Sequence, residues 1–305
     1  MPVVSIRHLT TYRYAKPVGF GEHRMMLRPL EGHDQRLISC EVEVSPEPSL
    51  LRQVSDVSGA TVGVARFGGT AERLVFDSRA VVDHRPENLL DLADARVRLG
   101  AIPFEYDPVE APELARSIAR QHAPGEVDAW ARRFVRADGS TRVSGLLADM
   151  THAIREGFAY RLRLEGGPQA PAVTLESRTG SCRDFAVLMM DAARSLGLAA
   201  RFVSGYVYSS SSKSGRKGGG HTHAWVRVYL PGAGWTDFDP TNGLIGGVDL
   251  IRVAAVADPR QALPLHGTWS GDASDFIGMD VEVDIRPEEE SILQPASHLR
   301  VAQGR

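Results

Sequence analysis

The first third of the chain shows apolar and polar patterns that predict β-strands. Its segments are rich in β-branched and aromatic residues, or alternate strictly between apolar and polar side chains. The segments with these patterns are 2–17, which ends at Pro17, and then 37–45, 61–67 and 73–82. Gly68 and Gly69 supply the turn between the last two. Short strands separated by Gly and Pro predict an antiparallel, β-sandwich-like domain over residues 1–95.

The apolar period changes to a helical one after a proline-rich segment. Residues 96–112 contain Pro103, Pro108 and Pro112, and we predict that they form a linker. Beyond them, apolar residues recur every three or four positions, which predicts helices. These helical stripes occupy 114–118, 130–134, 146–158 and 182–196. Gly197 follows the last stripe, where a left-handed C-terminal cap is expected.

Strand patterns return after the last helical stripe. The predicted strands are 199–208, 221–230 and 235–239, with a turn at 231–234, and 281–285 nearer the end of the chain. Residues 209–220 consist only of Ser, Gly, Lys and Arg. Such a segment buries no apolar area, so we predict a mobile loop there.

These patterns together predict an α+β protein in two main parts. A length of 305 residues suggests about two domains. The β-rich region comes first, and a core over 113–265 follows, in which one helix packs against an antiparallel sheet. Residues 266–305 are predicted to add one strand and a tail to either part.

Composition narrows the classes of partner. A net charge of −3 weighs against nucleic-acid binding driven by bulk charge. Two cysteines, Cys40 and Cys182, exclude a disulfide framework and a four-cysteine zinc site. No apolar stretch approaches ~18 residues, and the first residues do not read as a signal peptide. We therefore expect a cytoplasmic protein with no membrane partner; the sequence leaves its oligomeric state open.

Cys182 is placed where a nucleophilic thiolate would be favoured. It begins the predicted helix at 182–196, and a helix N-terminus carries free N–H groups and about half a positive charge. Gly180, just before it, would let a substrate approach the backbone closely. A catalytic cysteine needs this setting because the thiolate is the attacking species. The alternative is that Cys182 is a small buried apolar residue, as many free cysteines are.

His223 and Asp239 could assist such a thiolate. His223 lies near the start of one predicted strand and Asp239 on its probable partner strand, so a hairpin brings them close. A histidine beside a cysteine acts as a base or an ion-pair partner, and a carboxylate on its other nitrogen fixes its tautomer. The alternative is a solvated strand histidine, with Asp239 opening an Asp-Pro turn.

Four short motifs, taken in order, are more specific than any of these residues alone. They are Gly-Ser-Cys-Arg-Asp-Phe-Ala at 180–186, Arg-Phe-Val-Ser-Gly-Tyr at 201–206, His-Ala-Trp at 223–225 and Gly-Trp-Thr-Asp-Phe-Asp-Pro-Thr at 234–241. This series resembles the transglutaminase-like superfamily of papain-type thiol enzymes. The first 30 residues, with Tyr-Arg-Tyr at 12–14 and Met-Leu-Arg-Pro at 26–29, look like the β-rich N-terminal region of its bacterial members.

The resemblance implies a papain-like core, a catalytic triad of Cys182, His223 and Asp239, and no cofactor. No acidic calcium loop of the animal cross-linking enzymes is visible, so the chain resembles the compact bacterial members, commonly assigned as thiol peptidases or amidases. The substrate would be a peptide or protein, attacked to give a thioester. Water or an amine can resolve that thioester, and the triad alone does not distinguish hydrolysis from transamidation.

Three further residues are candidates for the oxyanion site or the cleft. Tyr160 could donate to the oxyanion beside the backbone N–H of Cys182, or could be a core tyrosine. Trp225 is expected to wall the cleft beside His223, or simply to pack as an aromatic residue. Asp184 falls in the first helical turn, where it would either cap that turn or serve the site.

Two other functional classes stay open. His221 and His223 would share one face of a strand, a spacing that suits zinc, so a metal-dependent hydrolase is an alternative. A non-catalytic peptide-binding module is the other, although a binding surface needs none of the chemistry of Cys182, His223 and Asp239. We therefore expect a thiol hydrolase that uses neither a metal nor a cofactor.

Overall fold

The computed structural model describes residues 3–86, 102–163, 166–208 and 222–288. The strands are β1 Val3–Met25, β2 Gln35–Ser45, β3 Leu50–Ser55, β4 Thr61–Arg66, β5 Thr70–His84, β6 Ala159–Tyr160, β7 Thr179–Gly180, β8 Ala200–Val207, β9 His223–Leu230, β10 Gly234–Asp239, β11 Leu244–Ile245, β12 Leu250–Val256, β13 Leu265–Ser270 and β14 Phe276–Glu288. The helices are α1 Ala111–Ile118, α2 Glu126–Arg132, α3 Val143–Gly157, α4 Pro171–Ser177 and α5 Cys182–Ser195.

The N-terminal region is one curled antiparallel sheet organised around β1. β5 pairs with one edge of β1 and β14 with the other, while β2 extends the sheet beyond β5. β4 and β13 pair with the second half of β1, and β3 pairs with β4. The α+β class and the antiparallel β-rich N-terminal region are therefore confirmed.

The first strand does not end at Pro17, contrary to the sequence-based prediction. β1 continues to Met25, and its pairing with β5 changes register between Arg13 and Val18. Pro17 lies inside that irregularity, where the ladder requires no N–H donor. A proline at a bulge is compatible with a long strand, so the residue that predicted an end instead marks a change of register.

The second part of the chain is a five-stranded antiparallel sheet that packs against α5. The strand order is β11-β10-β9-β8-β12. α5 packs against β8 and β9 on one side and against α2, α3 and α4 on others, so nearly all its residues are buried. It ends before Gly197, whose φ of 86° is the predicted left-handed conformation. A Cβ there would collide with the backbone of Phe104, which explains the glycine.

The two sheets share one hydrophobic core. Val4 and Ile6 of β1 and Val62 of β4 belong to the same buried cluster as Met150 of α3 and Phe185 of α5. β14, formed by the C-terminal part of the chain, completes the N-terminal sheet rather than the core sheet. The structure thus places the predicted added strand beside β1.

Some predicted features fall outside or across the described residues. The loop predicted at 209–220 lies outside them. So do residues 96–101 of the predicted linker and residues 289–305 of the predicted tail. α1 begins at Ala111, inside the segment predicted as a linker, and the domain boundaries stay predictions. Over the described ranges, no helix is both long enough and apolar enough to span a membrane.

Candidate active site

Cys182 is the first residue of α5, and the chain before it is held in an extended conformation. Ser181, the N-cap residue, has φ −85° and ψ 175°. The Cys182 side chain is 7% exposed and lines a cleft of about 230 Å³ that reaches the surface. A Cβ at Gly180 would lie 2.8 Å from the Cβ of Asp184, so only glycine lets the chain turn this tightly into the helix. The thiol therefore stands at a positive helix end and at the edge of an opening.

Asp184 caps this helix start and does not line the cleft. Its carboxylate is fully buried and accepts hydrogen bonds from the N–H and hydroxyl of Ser181, at 2.7 and 2.9 Å. It also accepts from the N–H of Gln169, at 2.6 Å, and from the guanidinium of Arg163, at 2.7 Å. These four bonds tie the loop before α4 to the N-terminus of α5, which makes Asp184 a positioning group for Cys182.

His223 and Asp239 meet across strands β9 and β10. Phe238 lies opposite Val226 in this pair, which puts Asp239 diagonal to His223. The Nε2 atom of His223 donates to the Oδ2 atom of Asp239 over 2.9 Å, and both side chains are almost wholly buried. This bond fixes the tautomer and leaves Nδ1 as the ring nitrogen for Cys182.

Electrostatics favour charge on both members of this pair. Burial opposes the charged form of His223, but the Asp239 carboxylate and, to a lesser extent, the Cys182 thiol outweigh it and raise the pKa of His223 to about 10. Burial likewise opposes ionisation of Asp239, but His223 and two further donors hold the pKa of this carboxyl below its usual value. A protonated imidazole beside the thiol is the arrangement that stabilises a thiolate.

Asn242 is a member of this site that the sequence analysis missed. Its side-chain amide donates to Oδ2 of Asp239 over 2.8 Å and lies 3.4 Å from Nε2 of His223. The backbone N–H groups of Thr241 and Asn242 donate to the other carboxylate oxygen. In turns, an aspartate carboxylate commonly accepts hydrogen bonds from the backbone N–H groups two and three residues later. The Asp-Pro-Thr-Asn sequence at 239–242 therefore indicated that Asn242 lies next to Asp239.

Tyr160 lies beside Cys182 because two short strands pair in parallel. Tyr160 of β6 is opposite Gly180 of β7, and the N–H of Arg161 donates to the carbonyl of Gly180 over 2.9 Å. Burial raises the pKa of Tyr160, and the charge and hydrogen bonding of Cys182 raise it further. The phenol is therefore protonated at neutral pH and interacts with the sulfur, while Tyr160 itself is not among the described residues that line the cleft.

Trp225 lies behind His223 and is not part of the cleft wall. It is fully buried, and its ring stacks on the imidazole at 5.9 Å between centroids with planes 26° apart. Its indole N–H donates to Asp237 over 2.7 Å. Asp237 reaches Trp225 by the same diagonal offset that joins Asp239 to His223. The position of the indole thus supports the imidazole from behind.

A buried ion-pair network connects this support to the N-terminal region. Asp237 faces the guanidinium of Arg252 at 3.4 Å, and Arg252 donates to Asp34 at 2.8 Å. Gln35 accepts from the N–H of Arg252 and donates to its carbonyl, both at 2.9 Å. Asp34, just before β2, and Gln35, its first residue, therefore hold a strand of the core sheet in place.

The metal alternative involves a residue that is not described. His221 lies outside the described residues, so the predicted His221–His223 pair has only one member here. Within the described part of the chain, no group of three or more His, Cys, Asp and Glu side chains is arranged around a common metal position. The described contacts of His223 are those with Asp239, Asn242, Trp225 and Cys182.

Comparison with protein families accounts for both regions of the chain. Residues 128–240 match the transglutaminase-like superfamily, and residues 4–83 match the bacterial transglutaminase-like N-terminal region. An uncharacterized protein of Mycobacterium leprae is 25% identical over 298 residues, which cover 90% of this chain and 96% of that one. A protein-glutamine gamma-glutamyltransferase of Pseudomonas aeruginosa is 32% identical over 114 residues, 36% of this chain and 17% of that one.

The whole fold also occurs in a solved structure. A Cytophaga hutchinsonii protein, described as a candidate cysteine protease, superposes with a TM-score of 0.66 at 20% identity. The match covers 95% of this chain and 92% of that one, so the N-terminal sheet and the core occur together in both. The chain belongs to the transglutaminase-like superfamily and carries the bacterial transglutaminase-like N-terminal region.

Proposed function

We propose that this chain is a thiol-dependent hydrolase, a peptidase or amidase, in which Cys182 is the nucleophile. The observation that carries the proposal is the buried His223–Asp239 pair beside a cysteine at a helix N-terminus. A structural cysteine needs neither a raised histidine pKa nor an open cleft next to its sulfur. The proposed substrate is a peptide or protein, and the cytoplasm is the proposed location.

The proposed reaction begins with attack of the thiolate on a carbonyl carbon. The S–C bond forms, the carbonyl electrons move to oxygen, and the N–H of Cys182 and the hydroxyl of Tyr160 stabilise that oxyanion. His223 then gives its proton to the leaving nitrogen as the C–N bond breaks. Asp239 keeps the imidazole oriented and stabilises its charge throughout.

The acyl-enzyme can then follow two routes. Water, deprotonated by His223, attacks the thioester and releases a carboxylic acid and the free thiol. A primary amine in place of water gives transamidation with the same residues. The glutamyltransferase relative supports this second candidate over only 114 residues, 17% of its own length, so we favour hydrolysis.

The test compares both outcomes in one reaction mixture. The purified chain is incubated with casein and a fluorescent primary amine, and hydrolysis is measured as new carboxyl termini together with the ammonia released in excess of the amine incorporated. We expect hydrolysis to exceed amine incorporation, and Cys182→Ala to abolish both. Cys182→Ala with full activity would overturn the mechanism, and metal-chelator sensitivity of that activity would favour the metal-dependent alternative. Amine incorporation in excess of hydrolysis would favour transamidation.

A further inference from the structure

The cleft beside Cys182 is built partly by the N-terminal sheet. β1 and β14 are paired so that Thr10 lies opposite Val281 and Tyr12 opposite Met279. Alternate residues of a strand share one face, and directly paired residues lie on the same side of the sheet. These four side chains line the same cleft as Cys182 and His223. The face of the β1–β14 ladder therefore belongs to the substrate cleft, together with the core.

This face is apolar or uncharged at neutral pH. His8, which lines the cleft beside this face, is buried, and burial lowers the pKa of His8 to about 4. Both ring nitrogens are engaged, at 3.0 Å with the Tyr206 hydroxyl and at 3.1 Å with that of Thr10. Burial also keeps Tyr12 protonated by raising its pKa to about 12.

The segment between β12 and β13 extends the apolar lining. Its contributing side chains come from Pro259, Ala262, Leu263 and Pro264, and Leu265 follows at the start of β13. Phe202 of the core sheet adds an aromatic ring to the same cleft. A group entering the cleft would thus exchange water for contact with apolar side chains from three parts of the fold.

Apart from the Cys182–His223 pair, the charged groups among the described lining residues are Arg163 and Arg183, and both are already hydrogen-bonded. Arg183 donates to the carbonyl oxygens of Gly166 and Arg163, at 2.8 and 2.6 Å. Arg163 donates to the Gly167 carbonyl and to the buried Asp184 carboxylate, at 2.9 and 2.7 Å. Among the described lining residues there is no aspartate or glutamate. A cationic group would therefore meet two arginines and no carboxylate, and an anionic group would compete with existing bonds.

We propose that the cleft receives an uncharged apolar side chain of the substrate, and that Met279 and Val281 of β14 determine this selectivity. The inference rests on the proposed function, because it describes what lies next to the reacting carbonyl. It assigns the C-terminal strand a role in specificity in addition to its place in the N-terminal sheet.

The wild-type test uses small alkylating probes, so no natural substrate is needed. Iodoacetamide is compared with its N-butyl, N-(2-carboxyethyl) and N-(2-aminoethyl) derivatives, with labelling of Cys182 followed by peptide mapping. Each rate is divided by that of the same probe with free cysteine. A fully buried methylene contributes about fourfold, the equivalent of about 0.8 kcal/mol. We expect the corrected rate of the N-butyl probe to exceed that of iodoacetamide at least about tenfold. The corrected rates of both charged probes should fall below that of the N-butyl probe.

Two variants on the same strand assign the effect to Met279. Met279→Asp places a carboxylate in the cleft. We expect the butyl preference, the ratio of the N-butyl rate to the iodoacetamide rate, to fall to near unity. The aminoethyl rate should rise relative to the N-butyl rate. Met279→Leu should restore the preference. Ile277→Asp is the matched control, because Ile277 is 66% exposed on β14 and is not among the described cleft residues, and it should change neither ratio.

The outcomes separate this inference from the proposed function. If labelling of Cys182 depends on His223 but the butyl preference is absent in the wild type, the selectivity proposal is wrong and the thiol mechanism stands. A carboxyethyl probe that reacts faster than the butyl probe would also overturn it, in favour of an acidic substrate group. If labelling does not depend on His223, the proposed function itself fails.

Discussion

Replacing Arg252 with methionine tests whether the N-terminal region stabilises the core through a buried ion pair. The Arg252 side chain is 3% exposed and lies between the carboxylates of Asp34 and Asp237, which are 9% and 4% exposed. Methionine fills a similar volume but leaves Asp34 without its ion-pair partner, while Asp237 keeps only Arg227, 3.2 Å away. Removing one partner of a buried ion pair costs about 3–5 kcal/mol, because the remaining charge is uncompensated.

This cost converts into a measurable change in the thermal midpoint. Unfolding entropies of about 2.1 cal/mol/K per residue predict a decrease of about 5–8 °C for a chain of this length. The assay is thermal unfolding followed by circular dichroism and by tryptophan fluorescence, which also reports on Trp225 next to the network. Burial opposes ionisation of Asp34 and the Arg252 guanidinium holds the pKa of this carboxyl below its usual value, so without Arg252 it should take up a proton more readily and the decrease should lessen as the pH falls.

Arg260→Met is the matched control. Arg260 also contacts an aspartate, Asp258, but its side chain is 85% exposed. An exposed pair contributes about 0–1 kcal/mol, so the midpoint should move by no more than about 2 °C. Equal changes for Arg252→Met and Arg260→Met would refute the reasoning, since burial is the only difference on which it depends.

Three further predictions concern the site. Cys182→Ser should abolish activity and leave the midpoint within about 2 °C, because one atom changes in place; a much lower midpoint would indicate a structural cysteine. Tyr160→Phe should lower kcat by up to about 10²-fold with little change in KM, and an altered KM alone would argue against an oxyanion donor. The raised pKa of His223 means that its pairing with Asp239 stabilises the fold below about pH 6.5 and that this contribution is lost as pH rises through about 10. His223→Gln should therefore lose more stability at pH 6 than at pH 10.5, and an equal loss at both would contradict the assignment.

Local patterns predicted most of the helices and strands that carry the site. α5 and β8 to β10 combine strong periodicity with clear ends, and their bounds lie within a few residues of those expected. The motifs placed Cys182, His223 and Asp239 on these elements. The hairpin register could not be read from the sequence, because it depends on side-chain packing across the whole sheet.

The unpredicted features depend on contacts between distant parts of the chain. β12 contains Arg252 in an otherwise apolar run, and that arginine is stable in the core only because Asp34, 218 residues away, pairs with it. α4 is seven residues long, too short to show a helical period. The contribution of β14 to the cleft follows from its pairing with β1, which no local pattern of residues 276–288 reveals.

The most direct test of the central claim is the rate of iodoacetamide labelling of Cys182 as a function of pH, in the wild type and in His223→Ala. Cys40 is an internal reference, because it is half-buried on β2 and burial raises the pKa of its thiol. Peptide mapping follows both cysteines in one experiment. We predict fast labelling of Cys182 that persists below pH 7 in the wild type and is lost in His223→Ala. Slow labelling that rises only near pH ~8.5, as for an ordinary thiol, would contradict the proposed Cys182–His223 pair.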